Sequence, residues 1–253
     1  MRSLSGLKAL ARFALVGAAL LCGATASSWA APITKQLNVT VIQVCDNAGS
    51  NCASTGPAGN AYFEDEADKI WAQAGIDINF IFGGTLNDTT RLTGASGVGD
   101  FTGSLPGPGT TMYLVSDLVC PSCTLYGEAY LGAGGLVINM GDVMAYNGGI
   151  GRLDTIAHEL GHNLNLDVGA GSSGGHSTDA DYLMASGSIR NIPSSLANIC
   201  PDGACYDLLP QAQIDVARRS SLLVDYSVPE PGSLALVALA LLGAARTSRR
   251  RRA

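Results

Sequence analysis

Apolar and polar residues alternate in two short stretches in the first third of the chain. Residues 37–44 and residues 76–82 both show this two-residue period, which predicts two β-strands. Between them, apolar residues recur at helical spacing over residues 60–74, with acidic residues in the intervening positions. An amphipathic helix is therefore predicted there, and Gly75 follows it at the position where a left-handed residue is least costly.

The remaining elements are predicted from shorter patterns. Residues 83–109 are rich in Gly, Thr, Ser and Pro and are predicted to be irregular. Strands are predicted at residues 112–119 and 135–140, a helix from about residue 153, and a closing helix at residues 211–224. This order predicts an α+β fold, with a small mixed β-sheet packed against an N-terminal helix, a second helix from about residue 153 and a C-terminal helix. Residues 31–227 are long enough for one domain with a sizeable core.

The first thirty residues are typical of a secretory signal peptide. Three basic residues precede an apolar run over residues 13–21, which is short for a membrane span, and small residues follow at two candidate cleavage sites. We expect cleavage near Ala30 or Ala31. Cys22 raises the possibility of a lipoprotein signal, but the bulky Leu21 before it argues against that interpretation.

The last 26 residues contain three parts in a fixed order. Pro229-Glu230-Pro231 comes first, an apolar run over residues 234–245 follows, and a cluster of arginines lies at residues 249–252. This segment resembles the PEP-CTERM sorting signal of Gram-negative bacteria. The resemblance implies a short transmembrane helix, transient membrane association and recognition by an exosortase-type enzyme. It also implies export to the periplasm, the cell envelope or the extracellular matrix.

The composition between these ends fits an extracytoplasmic protein. Residues 31–228 contain seven basic and twenty acidic residues, a net charge of −13, which argues against nucleic acid as a partner. Six cysteines lie there in three sequence-local pairs, and an even number in an exported chain predicts disulfide bonds. Local pairing is preferred among the fifteen connectivities that six cysteines allow. The preferred pairs are Cys45 with Cys52, Cys120 with Cys123, and Cys200 with Cys205.

The most informative motif is His158-Glu159-Leu160-Gly161-His162. Residues four apart lie on one face of a helix, so both imidazoles can reach one metal ion, and Glu159 can act on a metal-activated water as general base. The chain has only three histidines, and the third, His176, follows fourteen residues after the motif. Two histidines can also be ordinary core or surface residues, but the glutamate would then be a coincidence.

Together with Met184 in the segment 182–187, this motif resembles the metzincin clan of zinc endopeptidases. The clan signature is His-Glu-x-x-His-x-x-Gly-x-x-His or Asp, followed by a methionine in a tight turn beneath the metal. The resemblance implies a metzincin-like fold, Zn²⁺ as cofactor, His158 and His162 as metal ligands, and Glu159 as the catalytic base. A protein or peptide substrate is implied too, extended along the strand at residues 136–139.

The chain departs from the signature at two positions. Asn165 stands where glycine is expected, a mild change because Asn tolerates the left-handed conformation. Val168 stands at the third ligand position, and valine cannot bind zinc. Asp167 lies one residue early, whereas His176 follows a flexible Gly/Ser segment that could return its side chain to the metal. We therefore predict His158, His162 and His176 as the metal ligands.

Three functions remain open on the sequence alone. The favoured one is a secreted zinc-dependent endopeptidase. The second, prompted by Val168, is a catalytically inactive metal-binding envelope or matrix protein with a metzincin-like fold. The third is a different zinc hydrolase in which Asp167, Asp179 or Asp181 replaces His176.

Overall fold

One mixed β-sheet forms the centre of the fold. The structure is a computed structural model that describes residues 31–166 and 176–226. Within them, the sheet order is β2-β1-β3-β5-β4; β4 alone runs antiparallel in this series, and β6 pairs antiparallel with the start of β1. The strands are β1 (Lys35–Cys45), β2 (Ile76–Asn87), β3 (Thr110–Val115), β4 (Gly127–Ala129), β5 (Leu136–Asn139) and β6 (Val224–Asp225).

Five α-helices accompany the sheet in the described residues. These residues also contain three single turns of 3₁₀-helix, at Ala61–Phe63, Val98–Asp100 and Leu196–Asn198. The α-helices are α1 (Glu64–Ala72), α2 (Thr89–Gly94), α3 (Met140–Gly149), α4 (Thr155–Asn163) and α5 (Gln211–Ala217).

The core lies where α1 and α4 pack against the sheet. The apolar positions of β1 that alternate along the strand are fully buried. Every position of β5, which lies between β3 and β4, is buried as well. Helix α4 contacts β4, β5 and α1 through an apolar face on which Ile156, Ala157 and Leu160 are buried. The motif helix is thereby fixed next to the β4 end of the sheet.

This architecture confirms the predicted α+β class, with a small mixed sheet packed against an N-terminal helix and the motif helix. The prediction that residues 83–109 are irregular is wrong for residues 83–94. β2 continues through a register shift to Asn87, with Gly84 at a positive φ, and α2 then begins where Asp88 Oδ1 accepts a hydrogen bond from Arg91 N. The closing helix is also shorter than predicted, because α5 ends at Ala217 and the chain returns to pair with β1 as β6.

The predicted cysteine pairing is confirmed. Disulfide bonds join Cys45 to Cys52, Cys120 to Cys123 and Cys200 to Cys205.

The predicted transmembrane helix is corrected. In the part of the chain that the structure describes, no helix has both the length and the apolar character needed to cross a bilayer. The predicted span at residues 234–245, like the predicted signal peptide at residues 1–30, lies outside the described residues.

Candidate metal centre

Helix α4 holds the motif in a rigid setting. Its buried apolar residues fix one face against the sheet, and Asn163 fixes its last turn by donating from Nδ2 to the carbonyls of Tyr130 (2.9 Å) and Gly135 (3.0 Å). Asn165 follows with φ of +67°, the left-handed conformation predicted for this position. The helix therefore ends sharply just after His162.

Three imidazoles meet at the C-terminal half of this helix. His158 and His162 project from α4, and His176 stacks parallel to His158 with ring centroids 5.2 Å apart. The ring centroids of His162 lie 4.9 Å from His158 and 5.1 Å from His176, with both interplanar angles at 86°. One ring nitrogen from each histidine lies within 4.8 Å of the others. The structure thus brings together the three histidines that the sequence analysis selected.

The spacing of these nitrogens fits a zinc ion. His158 Nε2 and His176 Nε2 are 3.2 Å apart. Two nitrogens bound tetrahedrally at the usual zinc distance of about 2.0–2.1 Å would be about 3.3 Å apart. Three imidazoles are also a known ligand set for catalytic zinc, and they leave a fourth position open. The donor set and its geometry therefore suit Zn²⁺.

The contacts of His158 fix the orientation of its ring. His158 Nδ1 lies 2.7 Å from the carbonyl oxygen of Leu183, which can only accept a hydrogen bond, and it also contacts Arg190 Nη1, which can only donate one. Both contacts are on the Nδ1 side of the ring, so Nε2 faces His176 Nε2. Burial, and next the positive charge of Arg190, lowers the pKa of His158 well below its usual value. Both effects keep this imidazole neutral.

Glu159 lies buried against the edge of the sheet. A methyl group added at Gly127, the first residue of β4, would lie 2.9 Å from Glu159 Cγ and 3.1 Å from Oε1, so only glycine leaves room for this side chain. Burial raises the pKa of Glu159 to about 8, while the charge of Arg190 opposes the shift and that of Glu128 adds to it. A carboxyl group with this pKa is mostly protonated at neutral pH, and the positive charge of a bound zinc ion would favour the ionised form that a general base needs.

Met184 packs beneath the motif helix. Its Sδ lies so close to Gly161 that a Cβ at that position would be 2.4 Å from the sulfur. The backbone around Met184 is tied to the third histidine, because Ser177 N donates to Met184 O at 2.7 Å. The methionine thus supports the helix between His158 and His162, and its segment positions the chain next to His176.

Two of the three acidic alternatives for the third ligand, Asp179 and Asp181, do not join this cluster. Asp179 and Asp181 are exposed, and they accept hydrogen bonds from Asp181 N (3.1 Å) and Asn191 Nδ2 (2.7 Å) respectively. Asp167 and Val168 lie outside the described residues. Among residues 31–166 and 176–226, the three histidines form the one group of metal-ligating side chains close enough to share an ion.

Two features near the motif differ from the sequence-based interpretation. Asp154 was expected to cap the motif helix or complement its dipole, but its side chain makes no capping hydrogen bond and pairs with Arg190 instead. The strand at residues 136–139 was expected to receive substrate, but β5 has partners on both sides. The edge strand beside Glu159 is β4. Its three residues are too few to show the two-residue period of a strand in the sequence.

The comparisons with known proteins include one family match, at the C-terminal end of the chain. Residues 227–252 match the PEP-CTERM protein-sorting motif. This match confirms the sorting signal that the sequence analysis named, and it supports export to the cell envelope and recognition by exosortase. No curated protein matches the chain.

Among solved structures, two archaemetzincins are similar to this chain. The one from Methanopyrus kandleri is 13% identical, covers 73% of this chain and 95% of its own length, and has a TM-score of 0.43. The one from Archaeoglobus fulgidus, complexed with malonate, is 14% identical, covers 59% of this chain and 85% of its own, and has a TM-score of 0.34.

Proposed function

We propose that this chain is a secreted zinc-dependent endopeptidase. One observation carries the proposal: three imidazole nitrogens within 4.8 Å of one another, with a buried glutamate next to the first histidine in sequence. Such a set is what hydrolysis by a metal-activated water requires. The proposed ligands are His158, His162 and His176, and the proposed general base is Glu159.

The chemistry divides between the metal and the side chains. Bound zinc would polarise the scissile carbonyl and lower the pKa of the attacking water. His158 is held by its Nδ1 hydrogen bond to Leu183 O, which fixes the ring and directs Nε2 to the ion. Glu159 would accept the proton of the attacking water at its carboxylate and deliver it to the leaving amine. Burial of Glu159 keeps bulk water away from this transfer.

The substrate would lie along β4. This strand ends the sheet order β2-β1-β3-β5-β4, and the Glu159 side chain contacts its first residue, Gly127. An extended peptide can add to such an edge through main-chain hydrogen bonds, with the scissile bond brought towards Glu159. A substrate that pairs with β4 through its main chain would be a protein or a peptide.

The context of the domain supports action outside the cytoplasm. The PEP-CTERM motif at residues 227–252 and the three disulfide bonds both fit an exported chain. We propose that residues 1–30 are removed as a signal peptide and that residues 31–227 form the protease domain. Residues 228–253 would direct it, through an exosortase, to the periplasm, envelope or extracellular matrix.

The proposal is tested by hydrolysis of casein and a peptide library by the zinc-loaded mature domain. Glu159→Gln removes the base but keeps the size of the side chain. We expect this variant to bind one zinc ion as the wild type does and to lose at least about 100-fold in kcat, the usual contribution of a general base. Asp215→Asn makes a similar substitution on the exposed face of α5 and should leave both properties unchanged.

Two results would contradict this function. Full activity in Glu159→Gln would exclude the proposed base. A zinc-loaded wild type that hydrolyses no peptide would favour the inactive metal-binding protein that Val168 suggested.

A further inference from the structure

A buried ion pair joins the start of the motif helix to the chain beyond Met184. Arg190 Nε lies 2.7 Å from Asp154 Oδ2, and the two side chains are 2% and 0% exposed. Arg152, the other cation near Asp154, is 4.0 Å from it and stacks over the Tyr126 ring at 4.2 Å. Neither Asp154 nor Arg190 is a proposed metal ligand or general base.

Arg190 holds the two carbonyls that flank Met184. Its Nη1 donates to Leu183 O at 2.9 Å and to Ala185 O at 3.1 Å, and the same nitrogen contacts His158 Nδ1. Leu183 O is also the acceptor for His158 Nδ1 at 2.7 Å. The Arg190 guanidinium and the His158 imidazole therefore both contact Leu183 O, and Arg190 holds this oxygen in position.

Stability alone is a poor reason for this arrangement. Burying two charges costs desolvation energy, and replacing a buried ion pair by apolar side chains is often neutral or stabilising. Groups that orient the histidine ligands of a metal, by contrast, typically change metal affinity 10–100-fold when they are altered. The contacts of Arg190 are with such a group, the acceptor of His158.

We propose that Arg190, anchored by Asp154, is a positioning residue for His158. By fixing Leu183 O it sets the rotation of the imidazole, so that Nε2 faces His176 Nε2 across the 3.2 Å gap that zinc would bridge. Asp154 fixes the guanidinium in turn and offsets its charge. This role rests on the proposed zinc site. It adds two residues that orient a metal ligand without binding the metal themselves.

Two changes test the pair. Asp154→Leu combined with Arg190→Met removes both buried charges together, whereas Arg190→Lys keeps the positive charge and loses the planar fork that reaches two carbonyls. Arg218→Met is the matched control, because Arg218, the residue after α5, also donates to a backbone carbonyl, Ala74 O at 2.6 Å, outside the metal centre. Zinc affinity is measured by competition with a chelator, and the visible spectrum of the Co²⁺ form reports the ligand geometry.

We expect the double variant and Arg190→Lys to bind zinc about 10–100-fold more weakly than the wild type, with an altered Co²⁺ spectrum. Arg218→Met should keep both wild-type values. A folded double variant with wild-type zinc affinity and spectrum would overturn the positioning role; if that variant does not fold, the same result in Arg190→Lys would overturn it. A wild type that binds no zinc would instead overturn the proposed function, and this inference with it.

Discussion

Glu159 and Asp207 are two buried carboxyl groups with raised pKa values and different surroundings. Burial raises both, to about 8 for Glu159 and to about 7 for Asp207. Glu159 follows the proposed metal ligand His158 in sequence and packs against Gly127, whereas Asp207 accepts a hydrogen bond from Cys200 N at 3.0 Å and lies 3.4 Å from Gln73 Nε2. The first environment suits proton transfer, and the second is that of a structural group in the core.

Asp207 should make the stability of the protein fall as pH rises. Its pKa in the folded state is above the ordinary value, so the folded state binds more protons than the unfolded state between about pH 4 and pH 7. The stabilisation is complete below the unfolded pKa and is lost as pH rises through the folded one. Relative to Asp207→Asn, the wild type should lose about 2–3 kcal/mol of unfolding free energy between pH 5 and pH 8.

Denaturant unfolding at both pH values measures this difference. Asp215→Asn, on the exposed face of α5, is the control. Parallel pH profiles for the wild type and Asp207→Asn would show that Asp207 is not the responsible group.

At the scale of elements, the contact between α4 and Met184 should reverse the usual effect of replacing a helix glycine by alanine. Alanine in place of glycine usually stabilises a helix interior by about 1 kcal/mol. At Gly161 the added methyl would lie 2.4 Å from Met184 Sδ, so we expect Gly161→Ala to destabilise the fold by about 1–3 kcal/mol. Gly94→Ala in α2 adds a methyl into open space and should be neutral or stabilising. A stabilised Gly161→Ala in thermal unfolding would exclude the tight packing.

Elements with a clear period could be predicted from the sequence, and those set by their neighbours could not. The alternation of residues 37–44 predicted β1 and its buried face, and the motif lies on helix α4 as its spacing indicated. β4 has three residues and no period of its own, and β5 holds it in place. The Asp154–Arg190 pair joins positions 36 apart in sequence, and no local pattern connects them.

At the scale of the whole molecule, the fold and the metal should stabilise each other. His176 lies outside α4, fourteen residues after His162, and the fold brings one of its ring nitrogens within 4.8 Å of those of the motif histidines. An ion that binds only the folded state adds stability of about 3–4 kcal/mol at 100–1,000 times its Kd. Adding a chelator should therefore lower the Tm of the wild type and leave that of a His158→Ala/His162→Ala variant unchanged. Equal Tm values with and without chelator in the wild type would argue against a folded-state metal site.

The zinc affinity of His176→Ala tests the central claim most directly. The wild-type domain should bind one zinc ion, and the variant should bind it far more weakly, because one of three protein ligands is gone. The variant should still carry its three disulfide bonds and fold, since His176 is only partly buried. Zinc bound by His176→Ala as tightly as by the wild type would contradict the three-histidine site.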